Sequence, residues 1–109
     1  IVCAARAGGL LAGAPAADLA RLTSYAEALG LLFQITDDLL DVVGEEAETG
    51  KPVGADAAAG KATYPGLLGV PAAQERARTC GEQALALAAQ LPAAEVWSAL
   101  AAFVVTRTR

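Results

Sequence analysis

The 109-residue chain contains no histidine and no methionine, and it carries only two cysteines, one tryptophan, two tyrosines and two phenylalanines. Without histidine, neither a Ser–His–Asp triad nor an imidazole-ligated metal can be built from these residues alone. Cys3 and Cys80 are far apart in sequence and form no Cys-x-x-Cys pattern. Small buried thiols in a reducing cytoplasm are therefore the expected state of both. No apolar run reaches the roughly 18 residues of a membrane-spanning helix, and no signal or transit segment is visible. Positive charge is scarce: eight Lys and Arg stand against twelve Asp and Glu, giving a net charge of −4. A broad basic footprint for nucleic acid is thus absent, and an anionic ligand must be attracted by local lysines or by metal.

What is abundant is aliphatic. Hydrophobic residues make up 55% of the chain and mean hydropathy is +0.43, high for a soluble domain. A tightly packed helical bundle, part of whose partner surface lies elsewhere, accounts for that excess. The periodicity is helical throughout, so the fold class is all-α. A small-residue helix over Ile1–Ala12 stops at Gly13 and Pro15. A long one runs from Asp18 to Val43, with Leu19, Leu22, Ala26, Leu29, Phe33 and Leu40 at helical spacing and Gly44 as its end. Residues 45–61 carry the Gly, Asp and Pro content of a loop. Helix reopens at Thr63-Tyr64-Pro65, turns at Gly69-Val70-Pro71, and continues over Ala72–Gln90. After the break at Leu91-Pro92, a last helix spans Ala93–Val105. Tyr25 and Trp97 are expected to be packing residues.

The long helix contains Phe33-Gln34-Ile35-Thr36-Asp37-Asp38-Leu39-Leu40-Asp41. At about 100° per residue, Gln34, Asp37, Asp38 and Asp41 fall within an arc of roughly 100°, while Leu32, Ile35, Leu39 and Val43 project from the far side. Clustered carboxylates repel one another and are costly to desolvate unpaired. Two readings follow: a solvated polar face, or a cation site whose hard oxygen donors suit Mg²⁺ shared with a phosphate. Downstream, Lys51 follows Gly50 and Lys61 follows Gly60, where glycine lets the backbone approach a ligand and lysine offers a point charge to phosphate. Neither lysine belongs to a P-loop. Asp56, between them, either turns the loop or faces the same ligand.

Taken in order, Phe-Gln-x-x-Asp-Asp-x-x-Asp, Thr49-Gly50-Lys51, Gly54-Ala55-Asp56 and Gly60-Lys61-x-Thr63-Tyr64-Pro65 resemble the trans-isoprenyl diphosphate synthases. These are the polyprenyl synthetases of the farnesyl and geranylgeranyl diphosphate synthase type, whose second aspartate-rich motif reads much as residues 33–41 do. The resemblance implies the C-terminal helices of an isoprenoid-synthase-type bundle, with residues 1–109 forming the C-terminal part of one domain. The family's first aspartate-rich motif is not present in the chain, and a Lys-Thr pair that touches diphosphate is expected just upstream of Ile1.

By the same resemblance, Asp37, Asp38 and Asp41 are Mg²⁺ ligands, and Asp37, Asp38, Lys51 and Lys61 carry the chemistry. Gln34, Lys51, Lys61, Arg107 and Arg109 contact substrate, the two arginines either closing over a diphosphate or forming a frayed basic tail. The implied partners are isopentenyl diphosphate, an allylic diphosphate and a second copy of the full-length chain, in the cytoplasm. The alternative is a non-catalytic helical subunit of the same fold. Departures from the family pattern are small: Ala62 replaces a hydroxyl residue often found between Lys and Thr, and Pro52 follows Lys51.

Overall fold

A computed structural model of the chain describes residues 1–49 and 62–107. The described residues form α-helices and no strand, so the chain is all-α: α1 (Val2–Leu11), α2 (Ala16–Thr49), α3 (Tyr64–Leu68), α4 (Val70–Ala88) and α5 (Ala94–Thr106). Lys51, Asp56, Lys61 and Arg109 lie outside the described residues.

Local chemistry explains most of the boundaries. Helix α1 closes with Gly13 at φ +71°, where the Gly13 N–H donates to the Leu10 carbonyl at 3.1 Å and the Ala14 N–H to the Gly9 carbonyl at 2.9 Å. These paired bonds make a Schellman motif, and only glycine reaches its left-handed turn without strain. Thr63 caps α3 by accepting from the Gly66 N–H at 3.1 Å. Pro65 stands in the first turn, where its missing N–H has no acceptor to lose.

Two boundaries differ from expectation. The long helix continues through Gly44 to Thr49 instead of ending at Val43. A glycine in a helix costs only about 1 kcal/mol relative to alanine, and the good helix formers Glu45, Glu46 and Ala47 follow it. Helix α4 begins at Val70, ahead of the expected Ala72, because Pro71 is tolerated in a first turn just as Pro65 is.

Helix α2 is the spine. Thirty-four residues at about 1.5 Å each span roughly 51 Å, which matches the 50 Å longest dimension of the molecule. The other helices pack along it, and four pairings set their directions. Asp38 meets Tyr64, Leu32 meets Gly81, Tyr25 meets Trp97, and Asp37 meets Arg107. Helix α4 therefore runs antiparallel to α2, and α5 returns parallel to it.

The core between these helices is built of large residues on α2 and small ones on α4. Leu32, Ile35 and Leu39 of α2, Ala73, Ala77, Cys80, Ala84 and Ala88 of α4, and Ala101 and Val104 of α5 are all buried. Short side chains on α4 let the helix axes approach closely. At Gly81 an added Cβ would sit 2.8 Å from the Val105 Cγ2 on α5. Valine's short branched side chain has one preferred rotamer in a helix and cannot swing clear. We expect Gly81→Ala to lower stability by about 1–2 kcal/mol, the overpacking penalty exceeding the gain in helix propensity. Urea unfolding checks this; a rise in midpoint would show that α5 yields.

Tyr25 and Trp97 are packing residues, as expected. Their rings meet edge to face at 5.5 Å, the Tyr25 hydroxyl donates to the Trp97 carbonyl at 2.7 Å, and the Trp97 indole donates to the Pro92 carbonyl at 2.9 Å. Burial pushes the Tyr25 phenol pKa above its ordinary value, so it stays neutral and keeps this bond. Cys80 is buried, but Cys3 is exposed, contrary to expectation. Helix α1 packs on α2 through Gly9, where an added Cβ would lie 3.0 Å from Leu19, and Cys3 is on its other side. Val43, expected on the core side, is 60% exposed. The adjacent Val42 is the buried one, 7% exposed, so at this level of α2 the packed face is that of Val42.

Candidate functional site

The polar arc of α2 forms a surface bordered by α3 and the end of α5. Asp37 and Asp38 are adjacent, so their side chains leave the helix about 100° apart, and each meets a different neighbour. Asp37 turns to α5, where the Arg107 Nη2 donates to its Oδ1 at 2.9 Å. The same guanidinium lies 4.8 Å from the centre of the Phe33 ring, a cation–π distance. Phe33 and Asp37 are four residues apart on one helix face, so together they make a cradle for Arg107.

Asp38 turns to α3. Its Oδ2 accepts the Tyr64 N–H at 3.1 Å, and its Oδ1 accepts from the Gln34 Nε2 at 3.0 Å. The Tyr64 N–H is one of the orphan donors at a helix start, so Asp38 tethers the return from the 50–61 segment onto α2. Asp41, one turn further on, is exposed and has no polar partner among the described residues. Beneath the stripe, the buried Thr36 hydroxyl bonds the Leu32 carbonyl of its own helix, which satisfies it without reaching the surface. No buried side-chain nitrogen or oxygen among the described residues lacks a partner.

Gln34, Asp37, Asp38 and Asp41 thus share one face, as the spacing predicts, but do not form a closed cage. No group of three or more His, Cys, Asp or Glu side chains among the described residues is placed to hold a metal ion. The face is an open, hard-oxygen wall. Beside it, Phe33 and Gln34 border a groove of about 490 Å³ that also touches Glu27, Gly30, Leu31 and the start of α1. A smaller apolar hollow of about 230 Å³ lies away from the carboxylates, against Tyr25, Leu29, Trp97 and Leu100. Arg107 is not a frayed tail: it closes α5 against α2, and the residue it meets is Asp37.

Residues 1–101 match the family model described as polyprenyl synthetase. The chain belongs to the polyprenyl synthetase family. It is 48% identical over 86 residues to a farnesyl diphosphate synthase of Haemophilus influenzae, covering 79% of this chain and 29% of that protein. It is 51% identical over 79 residues to the farnesyl diphosphate synthase of Escherichia coli, covering 72% of this chain and 26% of that protein. A chloroplastic geranylfarnesyl diphosphate synthase of Leucosceptrum canum is 44% identical over 84 residues, covering 77% and 23% respectively. The chain spans about a quarter of the length of the curated relatives it matches.

Membership in the polyprenyl synthetase family does not by itself point to two of the contacts. The pairing of Arg107 with Asp37 joins residues 70 positions apart, and no local pattern announces it. The tether from Asp38 to the Tyr64 N–H uses a backbone donor, to which side-chain motifs are blind.

Proposed function

We propose that these 109 residues are the C-terminal part of a single polyprenyl synthetase domain, and that the whole protein is a short-chain prenyl diphosphate synthase. The observation that carries this reading is the carboxylate stripe of α2, Gln34 to Asp41, on a helical chain that is about half identical to two farnesyl diphosphate synthases. In the reaction proposed, the C1–O bond of an allylic diphosphate breaks and its electron pair leaves with the diphosphate. The double bond of isopentenyl diphosphate attacks the allylic carbon, and the proton lost from the adduct goes to the released diphosphate. No protein nucleophile is needed.

The donor set fits Mg²⁺. Carboxylate oxygens are its preferred protein ligands, and one or two of them commonly complete a shell otherwise made of phosphate oxygens and water. An open wall suits that division better than a closed cage would. Asp37 and Asp38, with Asp41 through water, would hold the metal. Bound there, it would supply charge neutralisation for the leaving diphosphate.

The remaining work falls to the chain's own side chains. Lys51 and Lys61 are assigned to the diphosphate, Gln34 to a substrate oxygen or metal-bound water, and Arg107 and Arg109 to closure over phosphate. Phe33 and Leu31, on the groove beside the stripe, offer the apolar part of the wall against which the prenyl chain would lie. No helix among the described residues is long and apolar enough to cross a membrane. A cytoplasmic homodimer of the full-length protein completes the proposal.

The test is condensation. The full-length protein, incubated with isopentenyl diphosphate, an allylic diphosphate and Mg²⁺, is expected to release pyrophosphate and form a longer prenyl diphosphate detectable by mass spectrometry. A folded full-length protein that turns over neither substrate would refute the assignment and favour a non-catalytic subunit. Lys51→Ala is expected to raise KM for the allylic substrate as well as lower kcat, because a lysine on the phosphate acts both before and during ionisation. A change in kcat alone would remove Lys51 from ground-state binding.

A further inference from the structure

Arg107 sits where the reading above requires a divalent cation to act. It is the C-cap residue of α5, and its guanidinium is held by two contacts of different kinds, the Asp37 carboxylate at 2.9 Å and the Phe33 ring at 4.8 Å. Both partners belong to one face of α2. The other two carboxylates are disposed differently, Asp38 being occupied by Gln34 and Tyr64 and Asp41 lying exposed. Among the described residues, Asp37 is therefore the one of the three acidic side chains that carries a cation.

Arg107 holds only the Oδ1 of Asp37, but a metal ion on either oxygen would stand close to the guanidinium, and two adjacent cations repel. Arginine cannot relieve it by losing a proton, since a guanidinium stays charged throughout the working pH range. Moving the guanidinium off Asp37 does relieve it. Its new partner is available in the same step, because a planar guanidinium binds phosphate oxygens in the bidentate manner in which it binds carboxylate. The Arg107 and Asp37 side chains are 32% and 39% exposed, so the pair is weak enough to exchange. The α5 backbone is not free to follow: Ala101 and Val104 are buried and Val105 is wedged against Gly81. The movement is confined to the Arg107 side chain.

We propose that Arg107 is the resident counter-cation of Asp37, a positioning residue that holds this carboxylate until a metal-bound diphosphate arrives, then passes from carboxylate to phosphate. The proposal rests on the metal–diphosphate reading of the α2 stripe. Its consequence is an order of binding: free divalent metal competes poorly with Arg107, whereas metal accompanied by diphosphate offers the guanidinium somewhere to go.

The test measures Mn²⁺ binding to the full-length protein by electron paramagnetic resonance, with and without inorganic pyrophosphate. Without pyrophosphate, Arg107→Gln is expected to bind Mn²⁺ roughly threefold to tenfold more tightly than the unaltered protein, the scale of a half-exposed ion pair reinforced by a cation–π contact. Arg107→Lys, which keeps the charge but loses the fork and the stacking, falls between them. With pyrophosphate present the advantage of Arg107→Gln disappears or reverses.

If Arg107→Gln binds Mn²⁺ as the unaltered protein does while Asp37→Asn binds it more weakly, the exchange is wrong and the metal reading survives. If Asp37→Asn also leaves Mn²⁺ affinity unchanged, the metal reading fails and takes the exchange with it. Thermal unfolding of the metal-free variants separates a structural part for Arg107: a lowered Tm with unmoved Mn²⁺ affinity assigns it to packing and overturns the proposal.

Discussion

Asp37→Ala in the full-length protein is expected to lower kcat by about 10²–10³ at saturating substrates, the usual cost of deleting one preorganised electrostatic stabiliser. The substitution removes a proposed metal ligand, and the charge developing on the leaving diphosphate is then less compensated as the C–O bond breaks. It also strands Arg107, whose carboxylate partner is gone. The loss should be largest at limiting Mg²⁺. Asp41→Ala is expected to cost less, since Asp41 is exposed one turn further along and is proposed to act through water. Steady-state kinetics of both variants across a Mg²⁺ series measure the difference. Near-native turnover of Asp37→Ala at limiting Mg²⁺ would return the stripe to a solvated polar face.

The largest effect on stability is expected at Leu32→Ala. Leu32 is 1% exposed, one Cδ lies 4.0 Å from where a Gly81 Cβ would stand, and the facing stripe of α4 is alanine, glycine and cysteine. Side chains that small cannot move in to fill the space, so the cavity persists and the cost is about 2–5 kcal/mol. Urea unfolding of the full-length protein provides the measurement. A loss under about 1 kcal/mol would mean that α4 collapses onto α2 and that the close helix approach is adjustable.

The fold was legible where a repeating pattern carries the information. Apolar residues at helical spacing located α2, Gly and Pro breaks bounded the other helices, and Gly13 with Pro15 marked the first break because a left-handed C-cap leaves a local signature. The site was legible to the same depth. The arc from Gln34 to Asp41 follows from 100° per residue and needs no tertiary knowledge.

What escaped was set by neighbours. Val43 is exposed beside the buried Val42, and which of the two meets a neighbour is set by how α2 packs, which no window of sequence around residue 43 contains. Cys3 depends on which side of α1 meets α2. Arg107 is one of two arginines at the end of the sequence, and its contact with Asp37 depends on α5 lying parallel to α2 with Trp97 beside Tyr25. The adjacent carboxylates also part company in space: one faces α5 and the other α3, so a motif that looks like a single ligand cluster is two contacts on one wall.

This wall is proposed to hold metal-bound diphosphate. Anomalous diffraction from crystals of the full-length protein soaked with Mn²⁺ and pyrophosphate tests it most directly. A manganese peak is expected at coordination distance from Asp37 or Asp38, with pyrophosphate on its far side and the Arg107 guanidinium moved from Asp37 to a phosphate oxygen. Pyrophosphate bound elsewhere, with Arg107 still paired to Asp37 and no manganese at the stripe, would contradict it.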